Sequence, residues 1–176
     1  MTPTQLLTIT KELNKSISKS KQKNNMYMEA KALNYKGIVQ SHSQNYKEAL
    51  ATWKTAIRIN EKLGNVSSLI CIYLNISSLF LLQENYANAY DAANKAISYL
   101  NDNSNPVKWS SNFNPLFHNY LLCCMQLNLV QEVHTLLSQF PQYKDFYDNL
   151  SQIFNVNEFL INESMNYFGI NGYSFL

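Results

Sequence analysis

The sequence predicts an all-α fold: a right-handed superhelical stack of antiparallel helix pairs, about eight helices in all. Three observations predict it. Only four glycines and four prolines interrupt 176 residues, which suits long helices and disfavours a many-turned β fold. Apolar residues recur every three or four positions along most of the chain. Residues 30–100 also read as two copies of one unit, with Asn45-Tyr46 over Asn85-Tyr86, Ala49 over Ala89 and Ala56 over Ala96, each 40 residues apart. A fixed period in this range marks a helical repeat, whose single pair cannot bury its apolar face without stacking on the next.

The length allows one domain with a sizeable core. Residues 1–24 form an N-terminal capping or half-repeat helix, with Leu6, Ile9, Leu13 and Ile17 on one face and Lys11, Lys15, Lys19 and Lys23 on another. Shifted by 40, Ile9 falls under Ala49 and Leu13 under Trp53. Residues 25–64 are the first full repeat: a helix to His42 with Tyr27, Ala30, Leu33, Gly37 and Ile38 inward, then a Ser43-Gln44-Asn45 turn. The second helix, Tyr46–Leu63, is buried through Ala49, Leu50, Trp53, Ala56 and Ile57 and closed by Gly64. Gly37 in mid-helix costs about 1 kcal/mol against Ala, so a close neighbour must justify it.

Residues 65–101 are the second repeat. Residues 102–140 are a degenerate third one, aligned at an offset of 43 so that Glu132 replaces Ala89. Pro106 opens a short helix within the link that precedes it. Residues 141–176 hold aromatic-rich capping helices and a tail, with ten aromatics from Phe140 onward. That segment reads either as ordinary core or as a patch that docks a neighbouring subunit or a second copy.

Gly37, Tyr46, Ala49, Trp53 and Ala56 together resemble the tetratricopeptide repeat, in its longer variety of roughly 40 residues. In the second copy Phe80, Tyr86, Ala89 and Ala96 match, Ser77 stands for the family's Gly and Ala93 for its aromatic. The resemblance covers residues 30–100 and fades outside them. It implies a rigid, non-catalytic array that binds an extended or helical peptide along the first helices of its repeats. The groove positions it implies are Lys31, Asn34, Ile38, Ser41 and His42, then Cys71, Leu74, Asn75, Ser78 and Leu82. Asn75 stands where family members often hydrogen-bond a peptide backbone, and reads equally well as a satisfied core amide. The set that clamps a chaperone's C-terminal carboxylate is missing, with Asn34 and Ile38 at its Lys and Asn positions. The 40-residue variety also includes peptide-responsive regulators.

The net charge of +2 hides a split: residues 1–62 carry +7 and residues 63–176 carry −5. The stripe of Lys11, Lys15, Lys19 and Lys23 in the basic third reads as a solvated face, or as one that meets an acidic partner, RNA or an anionic membrane surface, although no arginine or aromatic interleaves it. Cys71, Cys123 and Cys124 lack metal-ligand or disulfide-framework spacing and read as reduced thiols. The three histidines are scattered and no Gly-rich phosphate loop exists, so neither catalysis nor a cofactor or metal is expected. The run 69–82 is too short for a membrane span, and Lys11 and Lys15 interrupt any signal-peptide core. The N-terminus has something of a transit peptide, but it carries Glu12 and no Arg; the reducing cytoplasm is the expected compartment.

Overall fold

The computed structural model describes residues 2–100 and 114–152, and among these the chain forms eight α-helices and no strand. They are α1 (Pro3–Gln22), α2 (Met26–His42), α3 (Tyr46–Leu63), α4 (Val66–Leu82), α5 (Tyr86–Leu100), α6 (Asn114–Gln126), α7 (Val130–Gln139) and α8 (Lys144–Gln152). A 3-10 turn at Pro141–Tyr143 precedes α8. The helices pack in adjacent pairs: α2 on α1 and α3, α4 on α3 and α5, α6 on α5 and α7. In addition α2 meets α4 and α4 meets α6, so the first helices of successive pairs form one row. The expected Pro106 helix and everything after residue 152 lie outside the described residues.

One turn geometry is used throughout. Asn24, Gln44, Gly64 and Glu84 adopt φ of 51°, 61°, 62° and 54°, and Asn128 adopts 56°. The first four stand 20 residues apart. After each, the next N–H donates to a carbonyl five residues back: Asn25 to Ser20, Asn45 to Gln40, Asn65 to Asn60, Asn85 to Phe80, Leu129 to Cys124, at 2.8–2.9 Å. This is the Schellman closure, which satisfies carbonyls that a helix end otherwise orphans. Asn25, Asn65 and Asn85 then cap the following helix, their Oδ1 accepting from the backbone of Met28, Ser68 and Asn88. Within the Ser43-Gln44-Asn45 turn the left-handed residue is Gln44, because Asn45 has to supply the closing N–H. The asparagines at 25, 45, 65 and 85 were a period-20 signal visible in the sequence.

That turn also sets the register of the third unit. Asn128 follows Glu84 by 44 residues, one more than the expected offset of 43. Val133, not Glu132, consequently stands where Ala89 does. Val133 is buried and Glu132 half-buried, so no carboxylate is driven into the interface.

Ala49, Trp53, Ala56, Ala89, Ala93 and Ala96 are all fully buried. The two sides of each pair exchange volume. An ideal Cβ on Gly37 would lie 2.4 Å from Trp53 Nε1, so the glycine is required by the indole pressed on it. In the second pair Ala93 replaces Trp53, and the freed space holds Ser77, whose hydroxyl donates to the Ala89 carbonyl at 2.9 Å. In the third, Leu121 and Leu137 occupy the equivalent places in one apolar cluster. Gly/Trp, Ser/Ala and Leu/Leu fill the same gap in different ways, as close packing demands.

Tyr27 departs from the expected inward set. It is 55% exposed on the first turn of α2, whereas Ala30, Leu33, Gly37 and Ser41 form the buried stripe with Ala32 and Val39 beside them.

Candidate functional site

The row α2–α4–α6 carries the groove positions. Trp53 Nε1 donates to both the carbonyl and the Oδ1 of Asn34, at 3.2 and 3.1 Å. Asn75 Nδ2 donates to the same Oδ1 at 3.2 Å, so one amide oxygen ties α3, α2 and α4 together. One unit on, Asn119 Nδ2 donates to Ser78 Oγ at 2.8 Å and ties α6 to α4. Asn119 stands 44 residues after Asn75, at the matching position of the next first helix. Such buried or half-buried bonds fix register, since a slipped helix would leave amides unpaired.

Asn34 Nδ2 and Asn75 Oδ1 have no partner among the described residues, and both side chains are only half-buried. Each amide thus spends one end on the neighbouring repeat and keeps one donor or acceptor. Lys31 and His42 are exposed; Ile38, Cys71, Leu74 and Leu82 are half-buried; Ser41 and Ser78 are buried. Cys71 and Leu74 lean on the larger apolar cluster and Ile38 on the neighbouring one. Ser78 is committed to Asn119.

Lys11, Lys15 and Lys19 are exposed on α1, and Lys23 is exposed at its C-cap. Opposite them Ile17 is buried, and Leu13 packs against the same cluster. Across the α1–α2 contact, Lys36 donates to Asn14 Oδ1 at 2.8 Å and Lys21 meets Glu29 at 3.7 Å. Replacing Lys11, Lys15, Lys19 and Lys23 together with Gln is expected to leave the helical circular dichroism unchanged. Gln and Lys have similar helix propensity, and three like-charge i,i+4 pairs worth a few tenths of a kcal/mol each disappear. A collapse of helicity would place that face inside the fold.

No family model, no curated protein and no solved structure matches this chain. The geometry alone therefore carries the functional reading. Among the described residues no group of three or more His, Cys, Asp or Glu side chains is placed to hold a metal ion. Nor is any helix there long and apolar enough to cross a membrane. Burial pushes the thiols of Cys123 and Cys124 up to about 12, so both are poor nucleophiles at neutral pH.

The sequence reading gave His118 no role, yet it joins the C-terminal elements to α6. Its ring stacks on Phe146 with centroids 3.8 Å apart and meets Tyr143 edge-on at 6.3 Å. Tyr143 also stacks on Phe117 and donates to Asn114 Oδ1 at 2.6 Å. Tyr143 is thereby part of the buried core, with Phe146 and Tyr147 half-buried against it, while the aromatics after residue 152 lie outside the described residues. Burial lowers the His118 pKa from 6.5 to about 4. Between those values the unfolded chain binds a proton that the folded chain refuses. Stability is therefore full above about pH 6.5 and falls as pH drops toward 4, by about 2 kcal/mol given that water still reaches part of the ring. Thermal melts at pH 7 and 4.5 check this: His118→Phe is expected to lose less stability on acidification than the wild type. Equal losses would contradict the assignment.

Proposed function

We propose that the chain is a tetratricopeptide-like, non-catalytic protein-interaction module, an adaptor or small subunit that holds a peptide or helix against the row α2–α4–α6. The observation that carries this reading is the Asn34–Asn75 pair. Its bond across two repeats leaves one amide donor and one amide acceptor beside half-buried Ile38, Cys71 and Leu74. A donor and an acceptor held apart by a rigid array match the N–H and C=O of a peptide backbone, and the apolar neighbours receive its side chains. Binding here makes or breaks no covalent bond. Buried, protonated Cys123 and Cys124 suit the reducing cytoplasm.

A second reading places the chain in an RNA-containing particle. The observation favouring it is the exposed set Lys11, Lys15, Lys19 and Lys23, none of which forms an ion pair among the described residues. One experiment separates the two. Tagged full-length protein is recovered gently from its native cells with and without nuclease, and the co-purifying proteins are identified. Under the adaptor reading the partner survives nuclease, and Asn75→Ala weakens its binding about ten-fold, the value of one lost hydrogen bond to a buried backbone. The variant itself loses one half-buried bond and stays folded. Partners released by nuclease, or bound equally by Asn75→Ala, would overturn that reading.

A further inference from the structure

Four of the six large apolar side chains exposed among the described residues gather at one end of the stack: Met26, Tyr27, Met28 and Leu63. The topology puts them together. α2 and α3 are antiparallel and nearly equal in length, 17 and 18 residues, so the start of α2 lies beside the end of α3. The α1–α2 and α3–α4 turns both fall at this end and bring Lys21, Lys23 and Lys62, all exposed. Two carboxylates share this end, Glu29 at 3.7 Å from Lys21 and the exposed Glu61, so three lysines outnumber two acids. Nothing in the folding of the stack requires a tyrosine and two methionines in water here.

From this end we infer a peripheral membrane contact: Met26, Tyr27, Met28 and Leu63 enter the headgroup boundary of an anionic bilayer while Lys21, Lys23 and Lys62 meet its phosphates. The patch is built at helix ends around two turns and not along a groove between helices, and a partner helix needs a groove. A second copy would bring the same excess of lysine to the patch, whereas an anionic bilayer brings the opposite charge. Apolar side chains ringed by lysines, with a tyrosine among them, are the composition that interfacial binding uses. This goes beyond the peptide groove, which lies along the helices and not at their ends.

The test is co-sedimentation of the full-length protein with phosphatidylcholine vesicles, with and without phosphatidylserine. Binding is expected only where phosphatidylserine is present, and is expected to fall with salt. Lys21→Gln, Lys23→Gln and Lys62→Gln combined should weaken it at least about ten-fold, as should Met26→Ser, Tyr27→Ser and Met28→Ser combined. Leu63→Ser alone gives a milder check should the triple apolar variant fold poorly. Asn75→Ala should sediment like the wild type, which separates this result from the fate of the groove. Failure to bind phosphatidylserine vesicles would overturn the inference, as would binding that none of the tip variants alters. Self-association abolished by the same variants, without vesicle binding, would also overturn it in favour of a second copy.

Discussion

Trp53→Ala is expected to destabilise the chain by about 3–5 kcal/mol, a large part of what holds a domain of this size together. The indole is fully buried between α2 and α3, and its Nε1 is the donor that reaches both oxygens of Asn34. Its loss empties the gap against Gly37 and strips one bond from the amide that links two repeats. The sharper form of this prediction lies in the sign of a second substitution. Gly37→Ala adds helix propensity worth about 1 kcal/mol, but its Cβ would sit 2.4 Å from the indole nitrogen. Alone it is expected to destabilise by about 1–3 kcal/mol through overpacking. Combined with Trp53→Ala, where the clash is gone, Gly37→Ala is expected to stabilise. Denaturant titrations of the four proteins measure this cycle. A Gly37→Ala effect of the same sign in both backgrounds would mean that the indole does not dictate the glycine.

Ala56→Asp is expected to leave the chain unfolded at 25 °C. Ala56 is fully buried, in an apolar cluster with Ala49, Trp53, Ile72 and Leu79. A carboxylate at that position must either lose its hydration unpaired or take up a proton, and both cost several kcal/mol. Ala49→Asp, about two turns earlier on the same face, carries the same expectation. Ala56→Ser is the graded control, costing less because a hydroxyl can bond back to its own helix. Circular dichroism and sedimentation read the outcome. A folded Ala56→Asp protein with an unchanged melt would contradict the packing register of the whole stack.

Most of the stack was legible in the sequence because its signals are local. Small residues at Ala49, Ala56, Ala89 and Ala96 mark helix faces in close contact, and their 40-residue offset marks the repeat. The bounds of α3, Tyr46 to Leu63, follow from an asparagine turn at one end and Gly64 at the other. What escaped depends on partners distant in sequence. The extra residue before Asn128 could not be placed by aligning a leucine-rich segment that matches at several registers. Tyr27 points outward because it stands at the end of the stack, a fact of length and not of periodicity. At the groove, Asn34 and Asn75 were singled out one by one. That a single oxygen of Asn34 receives both Trp53 and Asn75 is set by three helices meeting, and no spacing reveals it.

Hydrogen–deuterium exchange of the full-length protein, with and without the partner it retains after nuclease, tests the central claim most directly. Slowed exchange on the amides of α2 and α4, with α3 and α5 unchanged, is the result expected of a peptide held along the first helices. Slowing confined to α1, or spread over α3 and α5, would contradict it and move the binding surface off the Asn34–Asn75 row.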